Sequence, residues 1–318
     1  MNAIEDRDGL VWVPVPTPVP GPGEVRIRIA ATAVNRADLV QRSGAYPPPP
    51  GASAILGLEC AGRIDAVGEG VRDRSVGDEV VALLAGGGYA EQVCCPASHT
   101  LPLPAGFTME RAAAVVEVFA TAWLNLRLEG ALAEGEHVLV HAGASGVGTA
   151  AIQLCVAWGN PVFATVGSEA KAERCRALGA AGTAVRHAGP WGPAVREWGG
   201  ADVILDPVGG SYLESNVHAL RPRGRLVNIG LMGGREGTLP LGPLLVKRLS
   251  VKGSVLRSRS IAEKNVVMAG LEREVWPLLA DGSVAPVIDR VVDIREAEAA
   301  HQAVQRNDTV GKVVLAVP

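Results

Sequence analysis

The chain predicts an α/β fold in two parts, an irregular β-rich part and a doubly wound part with a six-stranded parallel sheet. Three observations carry this expectation. The run His137-Val138-Leu139-Val140 passes through Gly143-Ala144-Ser145-Gly146-Val147-Gly148 into Thr149-Ala150-Ala151-Ile152-Gln153-Leu154, which is a strand, a glycine-rich turn and a helix in immediate succession. After Gly135, apolar strands alternate with helix-length segments, the pattern of a parallel sheet covered on both faces. Before it, short alternating runs are separated by turn residues. With 318 residues, 48% of them apolar, the chain is long enough for two domains with large cores.

Glu24-Val25-Arg26-Ile27-Arg28-Ile29 alternates strictly, as a half-buried strand does, and Asp78 to Leu84 follows a glycine turn as a second strand. Prolines from Pro14 to Pro22 and at Pro47-Pro48-Pro49-Pro50 exclude helix and predict extended surface loops, the second placed to shape a site entrance. Ala112 to Leu126 is the most apolar stretch. It is interrupted by Glu117 and Asn125 and falls short of the ~20 residues that cross a bilayer, so it reads as a buried helix. Strands are expected at His137 to His141, Pro161 to Val166, Thr183 to Val185, Val203 to Asp206, Arg225 to Gly230 and Leu249 to Leu256. The helix after the glycine turn shows one apolar face, Val147, Ala150, Ala151, Leu154, Cys155 and Trp158, and stops at Gly159-Asn160-Pro161. Toward the end, Ile261 to Ala280 and Arg295 to Arg306 read as helices, Val287 to Ile294 and Lys312 to Val317 as strands.

A formal charge of −3 gives no global basic field, so nucleic acid is not favoured as a partner. Cys60, Cys94, Cys95, Cys155 and Cys175 form neither a C-x-x-C pair nor a secreted framework and read as reduced thiols. The adjacent Cys94 and Cys95 are expected on opposite faces of a strand. The start Met1-Asn2-Ala3-Ile4-Glu5-Asp6 is acidic where a signal peptide is basic, and a cytoplasmic location is expected.

The glycine turn reads G-x-S-x-x-G over Gly143, Ser145 and Gly148, a dinucleotide fingerprint with its middle glycine displaced. Its setting predicts a pyrophosphate on the helix start, where unpaired N–H groups and the dipole favour an anion. The competing reading is a tight turn with glycines for packing only. Past the next strand stand Gly167-Ser168, where an NAD-preferring site carries an acid for the ribose. A hydroxyl followed by Lys171 and Arg186 suits a 2′-phosphate, favouring NADPH over NADH. Against this stand Glu169, free to turn toward the ribose, and the reading of Lys171 as a solvated helix residue. No set of ligands for catalytic or structural zinc is visible. Asn35 to Tyr46 gathers amide, charged and phenol groups; within it Asp38 and Arg42, four apart, read either as a helix-surface ion pair or as catalytic groups.

Together Pro20-Gly21-Pro22-Gly23-Glu24-Val25, Asn35 to Tyr46, Gly57-Leu58-Glu59-Cys60-Ala61-Gly62, Val76-Gly77-Asp78-Glu79-Val80, His141 to Gln153 and Gly311-Lys312-Val313-Val314-Leu315 resemble the zinc-free quinone oxidoreductases of the medium-chain dehydrogenase/reductase superfamily. The resemblance runs over nearly the whole chain. Tyr46-Pro47-Pro48-Pro49, Gly230-Leu231-Met232-Gly233-Gly234 and Leu256-Arg257-Ser258-Arg259 are most similar to the p53-inducible quinone oxidoreductase branch. Where zinc-dependent alcohol dehydrogenases of that superfamily carry Cys and His ligands, this chain has Asn35 and Leu58, and their cysteine-rich lobe is missing.

The resemblance implies a GroES-like catalytic domain from residues 1–115 and 260–318 and a Rossmann domain over 116–259, with the cofactor in the cleft between them. It implies a homodimer joined through the sheet edge at Leu249 to Leu256. It also implies roles. Asn35 and Tyr46 would line the substrate pocket as the catalytic pair, and Thr121 would contact the nicotinamide. Gly146, Val147 and Gly148 would meet the pyrophosphate, and Gly167, Ser168 and Lys171 the adenosine phosphate. Asp206, Gly230 and Ser254 would edge the nucleotide cleft. Many relatives have Asn-Tyr where this chain has Val185-Arg186, so Arg186 would supply a charge in place of that contact.

The expected reaction is zinc-independent hydride transfer from NADPH to a small-molecule quinone, with neither a metal nor a membrane as partner. A quinone is already strongly electrophilic, so orientation and a donor at the developing oxyanion suffice, with Tyr46 and Asn35 as candidate donors. Tyr46 reads equally as an aromatic wall. Reduction of an enone or enal double bond would use the same site, and a low-turnover nucleotide-binding or RNA-binding relative is the reading from another class.

Overall fold

The computed structural model describes residues 1–318 and divides them between two units, Met1–Ala120 with Arg257–Gly282 and Pro286–Pro318, and Thr121–Leu256 with Ser283–Ala285. The first unit opens with the hairpin β1 (Asn2–Asp6) and β2 (Leu10–Pro14). The alternating run becomes β3 (Glu24–Val34), which leads into α1 (Arg36–Arg42). Strands β4 (Glu59–Val67), β5 (Glu79–Leu83), β6 (Gln92–Pro96) and β7 (Thr100–Pro102) follow. Val25, Ile27 and Ile29 of β3 pack with Cys60, Ile64, Val80, Val93 and Cys95 in one buried cluster. Cys95 lies in that core while Cys94 is half-buried, as opposite faces of a strand require, and all five cysteines are free.

The apolar stretch expected as one buried helix, Ala112 to Leu126, is broken. The structure has α2 (Met109–Ala112) and α3 (Val116–Trp123), which widens into a π-helical turn over Leu124–Glu129. The widening follows from its bonds: Gly130 N–H donates to the Asn125 carbonyl at 2.9 Å, one residue further back than an α-helix allows.

The second unit contains β8 (Val138–Val140), α4 (Gly146–Ala157), β9 (Val162–Val166), α5 (Glu169–Ala177), β10 (Gly182–Val185) and α6 (Trp191–Glu197). It continues with β11 (Ala201–Asp206), α7 (Leu213–Ala219), β12 (Leu220–Asn228), α8 (Leu241–Lys247) and β13 (Ser250–Gly253). Its six strands are parallel and ordered β10-β9-β8-β11-β12-β13. Strand order reverses between β8 and β11, so the glycine turn after β8 sits at the topological switch point, where such sheets bind ligands. The α4 stop is where the sequence places it, with Gly159 in the left-handed region at φ +77°.

The end of the chain returns to the first unit through α9 (Ile261–Glu274), α10 (Trp276–Ala280), β14 (Ile288–Asp293), α11 (Ala297–Gln305) and β15 (Lys312–Ala316). The helix expected over Ile261 to Ala280 divides at Val275, because Pro277 has no N–H to continue the ladder. β15 pairs antiparallel with β3, completing a seven-stranded sheet ordered β14-β15-β3-β4-β5-β7, with β6 also on β3. No helix is long and apolar enough to cross a membrane.

Candidate nucleotide and substrate sites

In the second unit, the chain leaves β8 through Ala142, at φ +53°, and enters α4 with Ser145 as its cap. Ser145 Oγ accepts from Gly148 N–H at 3.1 Å. A Cβ at Gly148 would stand 2.4 Å from the Ala142 carbonyl oxygen and 2.6 Å from that of Gly143, so only glycine lets the helix close on the turn. Gly146 and Val147 are half-buried in the first turn of α4, whose amides lack intrahelical acceptors. Beneath the turn, buried His141 bonds Thr165 Oγ1 at 2.8 Å through Nδ1 and Asn216 Oδ1 at 2.7 Å through Nε2.

At the end of β9, Gly167 and Ser168 are exposed, and Ser168 caps α5 by accepting from Lys171 N–H at 3.4 Å. The Arg186 guanidinium lies 3.8 Å from where a Cβ on Gly167 would stand. Glu169, the acid that opposed a phosphate reading, accepts from the Arg176 guanidinium instead, at 2.6 Å. The Arg186 guanidinium and the Ser168 hydroxyl thus lie at one strand end, with Lys171 in the first turn of α5. Asp206 is buried, with its carboxylate accepting from Val208 N–H at 2.7 Å, Gly209 N–H at 3.1 Å and Asn216 Nδ2 at 3.0 Å, and so shapes the turn after β11. A Cβ at Gly230 would stand 2.8 Å from the Pro207 carbonyl oxygen. Ser254 is buried, its N–H on the Asn228 carbonyl at 2.9 Å, and Thr121 is half-buried in α3.

In the first unit, β3 gives way to α1 at Asn35. Its Oδ1 accepts from Lys312 Nζ at 2.6 Å, while Nδ2 donates to Glu59 Oε1 at 3.0 Å and to the Ala33 carbonyl at 3.3 Å. The two N–H groups expected to serve a substrate are therefore directed at protein acceptors. Lys312 Nζ also stands 2.8 Å from Glu59 Oε1 and donates to the Val34 carbonyl at 2.9 Å. Lys312 is 3% exposed and Glu59 0%, a buried ion pair made tolerable by hydrogen bonds on both partners.

Tyr46 is half-buried, its ring centroid 5.3 Å from the Arg257 guanidinium. Arg257 pins the loop, donating to the Tyr46 carbonyl at 3.3 Å, Gln41 Oε1 at 2.7 Å and the Ala85 carbonyl at 2.7 Å. Burial, and after it the Glu117 charge, pushes the Tyr46 hydroxyl up to about 12. Glu117, in the first turn of α3, donates its N–H to Glu59 Oε2 at 3.0 Å. Burial and the Glu59 charge push its carboxyl up to about 8, against the opposing pull of Lys312 and Lys264.

The surface ion pair read between Asp38 and Arg42 is not formed. Asp38 is 0% exposed and accepts from Asn35 N–H at 2.8 Å, Gly57 N–H at 3.1 Å and the Tyr89 hydroxyl at 3.2 Å. Arg42 instead pairs with Asp6 at 3.0 Å and Glu298 at 3.1 Å. Spacing of four joins two side chains only when both lie on the same open face, and Asp38 faces inward. Sequence reasoning gave no role to Glu59, Glu117, Arg257, Lys264 or Lys312. One signal was present: a carboxylate inside the apolar run from Ala112 to Leu126 is costly unless something holds it.

The residues at the two zinc-ligand positions do not fit a zinc ion. Leu58 offers no ligand atom, the Asn35 and Glu59 oxygens already hold the Lys312 ammonium, and no group of three or more His, Cys, Asp or Glu side chains is arranged to hold a metal.

Comparison with known proteins accords with both units. Residues 21–105 match the model of the alcohol dehydrogenase GroES-like domain, and residues 146–270 that of the zinc-binding dehydrogenases. The human synaptic vesicle membrane protein VAT-1 homolog is 32% identical over 301 residues, covering 90% of this chain and 77% of the relative. The chain belongs to the medium-chain dehydrogenase/reductase superfamily. It is also 34% identical to polyketide synthase GfsB of Streptomyces halstedii over 90% of its own length, a stretch that spans 5% of that protein. Among solved structures, Escherichia coli quinone oxidoreductase complexed with NADPH superposes with a TM-score of 0.89 at 28% identity, over 99% of this chain and 100% of that one. CurK enoyl reductase gives 0.86 at 28% identity, over 100% and 99%. Membership and neighbours support an NAD(P)-dependent oxidoreductase.

Proposed function

We infer that this superfamily member is an NADPH-dependent quinone reductase that works without zinc. One observation carries the reading: the Lys312 ammonium sits on Asn35 and Glu59, beside the positions where zinc-dependent relatives hold their metal. Without a Lewis acid, an alkoxide is poorly stabilised, whereas an electron-poor acceptor such as a quinone needs only orientation and a proton. The residues of the second unit fit NADPH. Gly146, Val147 and Gly148 would receive the pyrophosphate at the α4 start, and Gly167, Ser168, Lys171 and Arg186 the 2′-phosphate, with Glu169 engaged elsewhere. Thr121, Gly230 and Ser254 would border the nucleotide, and Asp206 would hold the turn beside it. When bound, NADPH supplies a hydride and leaves as NADP⁺. Tyr46 would present its ring to the acceptor, and Asn35 would hold Lys312 and Glu59 in place. The motif Tyr46-Pro47-Pro48-Pro49 supports the p53-inducible branch, and free cysteines fit a reducing cytoplasm.

The test is NADPH oxidation with a naphthoquinone and a 2-alkenal, with a chelator present. The reading expects quinone turnover that survives chelation and a kcat/KM with NADPH above that with NADH; loss on chelation, or NADH preference, contradicts it. Likeness to CurK enoyl reductase favours a second reading, reduction of an activated carbon–carbon double bond. A kcat/KM for the alkenal well above that for the quinone selects it. The exposed edge strand β13 further supports a homodimer.

A further inference from the structure

We propose that the second unit carries a binding site for a small zwitterion, with the chemistry of a free amino acid bearing an apolar side chain, in the groove between α6 and α7. The site lies within one unit and does not rest on the reductase reading.

Trp191 and Val195 of α6 and Ala219 of α7 belong to one buried cluster, so the inner faces of both helices are taken. Helical spacing then sets Gly192 and Arg196 along one lip of a groove and Glu214, Ser215 and His218 along the other. Between the lips lies a cavity of about 410 Å³, within the ~300–1,000 Å³ range of small-molecule sites. Its base is the Trp191 indole, which is only 6% exposed. The ring is fixed from behind by Tyr212, at 5.0 Å between centroids, and by His141, at 4.6 Å. A rigid apolar surface is therefore ready before any ligand arrives.

Gly192 keeps that base open. Its φ is negative, so no turn requires glycine there. A Cβ would meet Arg196 Nη1 at 3.4 Å and Ser215 Cβ at 3.9 Å, which are ordinary contacts, so close packing does not require glycine either. Glycine costs a helix conformational entropy that alanine does not. What the missing side chain leaves is room between the guanidinium and Ser215.

The polar groups at the rim are uncommitted. Arg196 and Glu214, of opposite charge, line one cavity yet form no ion pair or hydrogen bond with each other or with any other side chain. The Lys247 ammonium, on the His218 carbonyl at 3.0 Å, adds a second positive field to that of Arg196. A simple anion would be drawn to these cations but would face the Glu214 carboxylate. A simple amine would suit Glu214 and be repelled by the cations. A molecule with both charges answers each, its carboxylate on Arg196 and its ammonium on Glu214. Pro190, Pro193 and the Trp191 indole offer apolar surface to its body.

The experiment titrates the full chain with L-phenylalanine, with 3-phenylpropanoate, which lacks the ammonium, and with 2-phenylethylamine, which lacks the carboxylate, followed by ligand NMR. Phenylalanine should bind with a Kd of about 1 mM, as suits a ligand of about a dozen heavy atoms, and each truncated probe about tenfold more weakly. Arg196→Gln should weaken phenylalanine about tenfold and spare phenylethylamine; Glu214→Gln should weaken phenylalanine about tenfold and spare phenylpropanoate. Gly192→Ala, whose Cβ occupies the base, should weaken phenylalanine at least about threefold. Arg196 and Glu214 are exposed, so these two variants should keep the wild-type melting temperature. Absence of binding at about 20 mM phenylalanine, equal affinity for phenylalanine and phenylpropanoate, or an affinity unmoved by Arg196→Gln and Glu214→Gln overturns the proposal. Displacement of phenylalanine by NADPH also overturns it, because the cavity would then be part of the nucleotide site. Failure of the chain to reduce quinone or alkenal leaves the binding result standing and overturns the reductase reading alone.

Discussion

Lys312 holds three groups at once, the Glu59 carboxylate, the Asn35 amide oxygen and the Val34 carbonyl. Lys312→Met keeps most of the side-chain volume but strands Glu59 as an unpaired buried charge. Unfolding in urea should show a loss of about 3–5 kcal/mol. Adding Glu59→Gln should recover part of it, because the stranded charge rather than the lost contact dominates; strict additivity of the two would contradict this. Glu117 makes an opposite, pH-dependent contribution. Its folded-state pKa, about 8, lies above its ordinary value of 4.5, so the folded chain holds a proton that the unfolded chain releases between those limits. Stability from this group is present below pH 4.5 and is lost as pH rises toward 8. Relative to wild type, Glu117→Gln should therefore gain up to about 1.4 kcal/mol per pH unit across that window, read from melting curves. Asp38, pushed up to about 6 by burial, shifts the wild-type curve in the same sense over a narrower range.

At the scale of elements, β8, the glycine turn and α4 act as one device. Ala at Gly148 would force its Cβ against the Ala142 and Gly143 carbonyl oxygens, so the helix start must move off the turn. Gly148→Ala should weaken NADPH binding at least about tenfold by fluorescence titration and lower stability by about 1–3 kcal/mol. An unchanged Kd would remove the α4 start from the binding site. This device was legible because everything it needs is local: an apolar strand, a cap, glycines and a periodic helix follow one another directly. The six parallel strands were legible for a similar reason, since burial on both faces leaves continuous apolar runs such as Val138 to Val140. Asp38 was not, because its partners are Gly57 and Tyr89, which only the folded sheet brings to α1. Glu59 and Lys312 pair across β4 and β15, at opposite ends of the chain, and no spacing rule joins them. The π-helical turn at Leu124–Glu129 has no periodic signature of its own; it depends on where Gly130 finds an acceptor.

For the whole molecule, the open question is what covers the outer edge of the six-stranded sheet. β13 has a neighbour only in β12, and all four of its residues are exposed. The other edge, β10, is half-buried along its length. An open edge offers unpaired N–H and C=O groups to any other strand, and monomeric proteins blunt such edges with charge or cover. Here the flanking segments are apolar: Leu245 and Val246 in α8 are 75% and 83% exposed, and Val251 and Val255 are 40% and 46% exposed. Lys252 is the charged residue of the strand, and its ammonium is drawn back to the Glu129 carbonyl at 2.7 Å. A second copy related by a twofold axis would pair the two edges and bury both apolar flanks, which is the self-complementary contact that a symmetric dimer uses. Sedimentation equilibrium should give twice the chain mass for wild type at micromolar concentration and a single chain for the pair Val246→Glu and Val251→Lys. Because both side chains are exposed in the single chain, the variant should keep its melting temperature at low concentration. A wild type that sediments as a monomer would show that the edge is guarded by something other than a second copy.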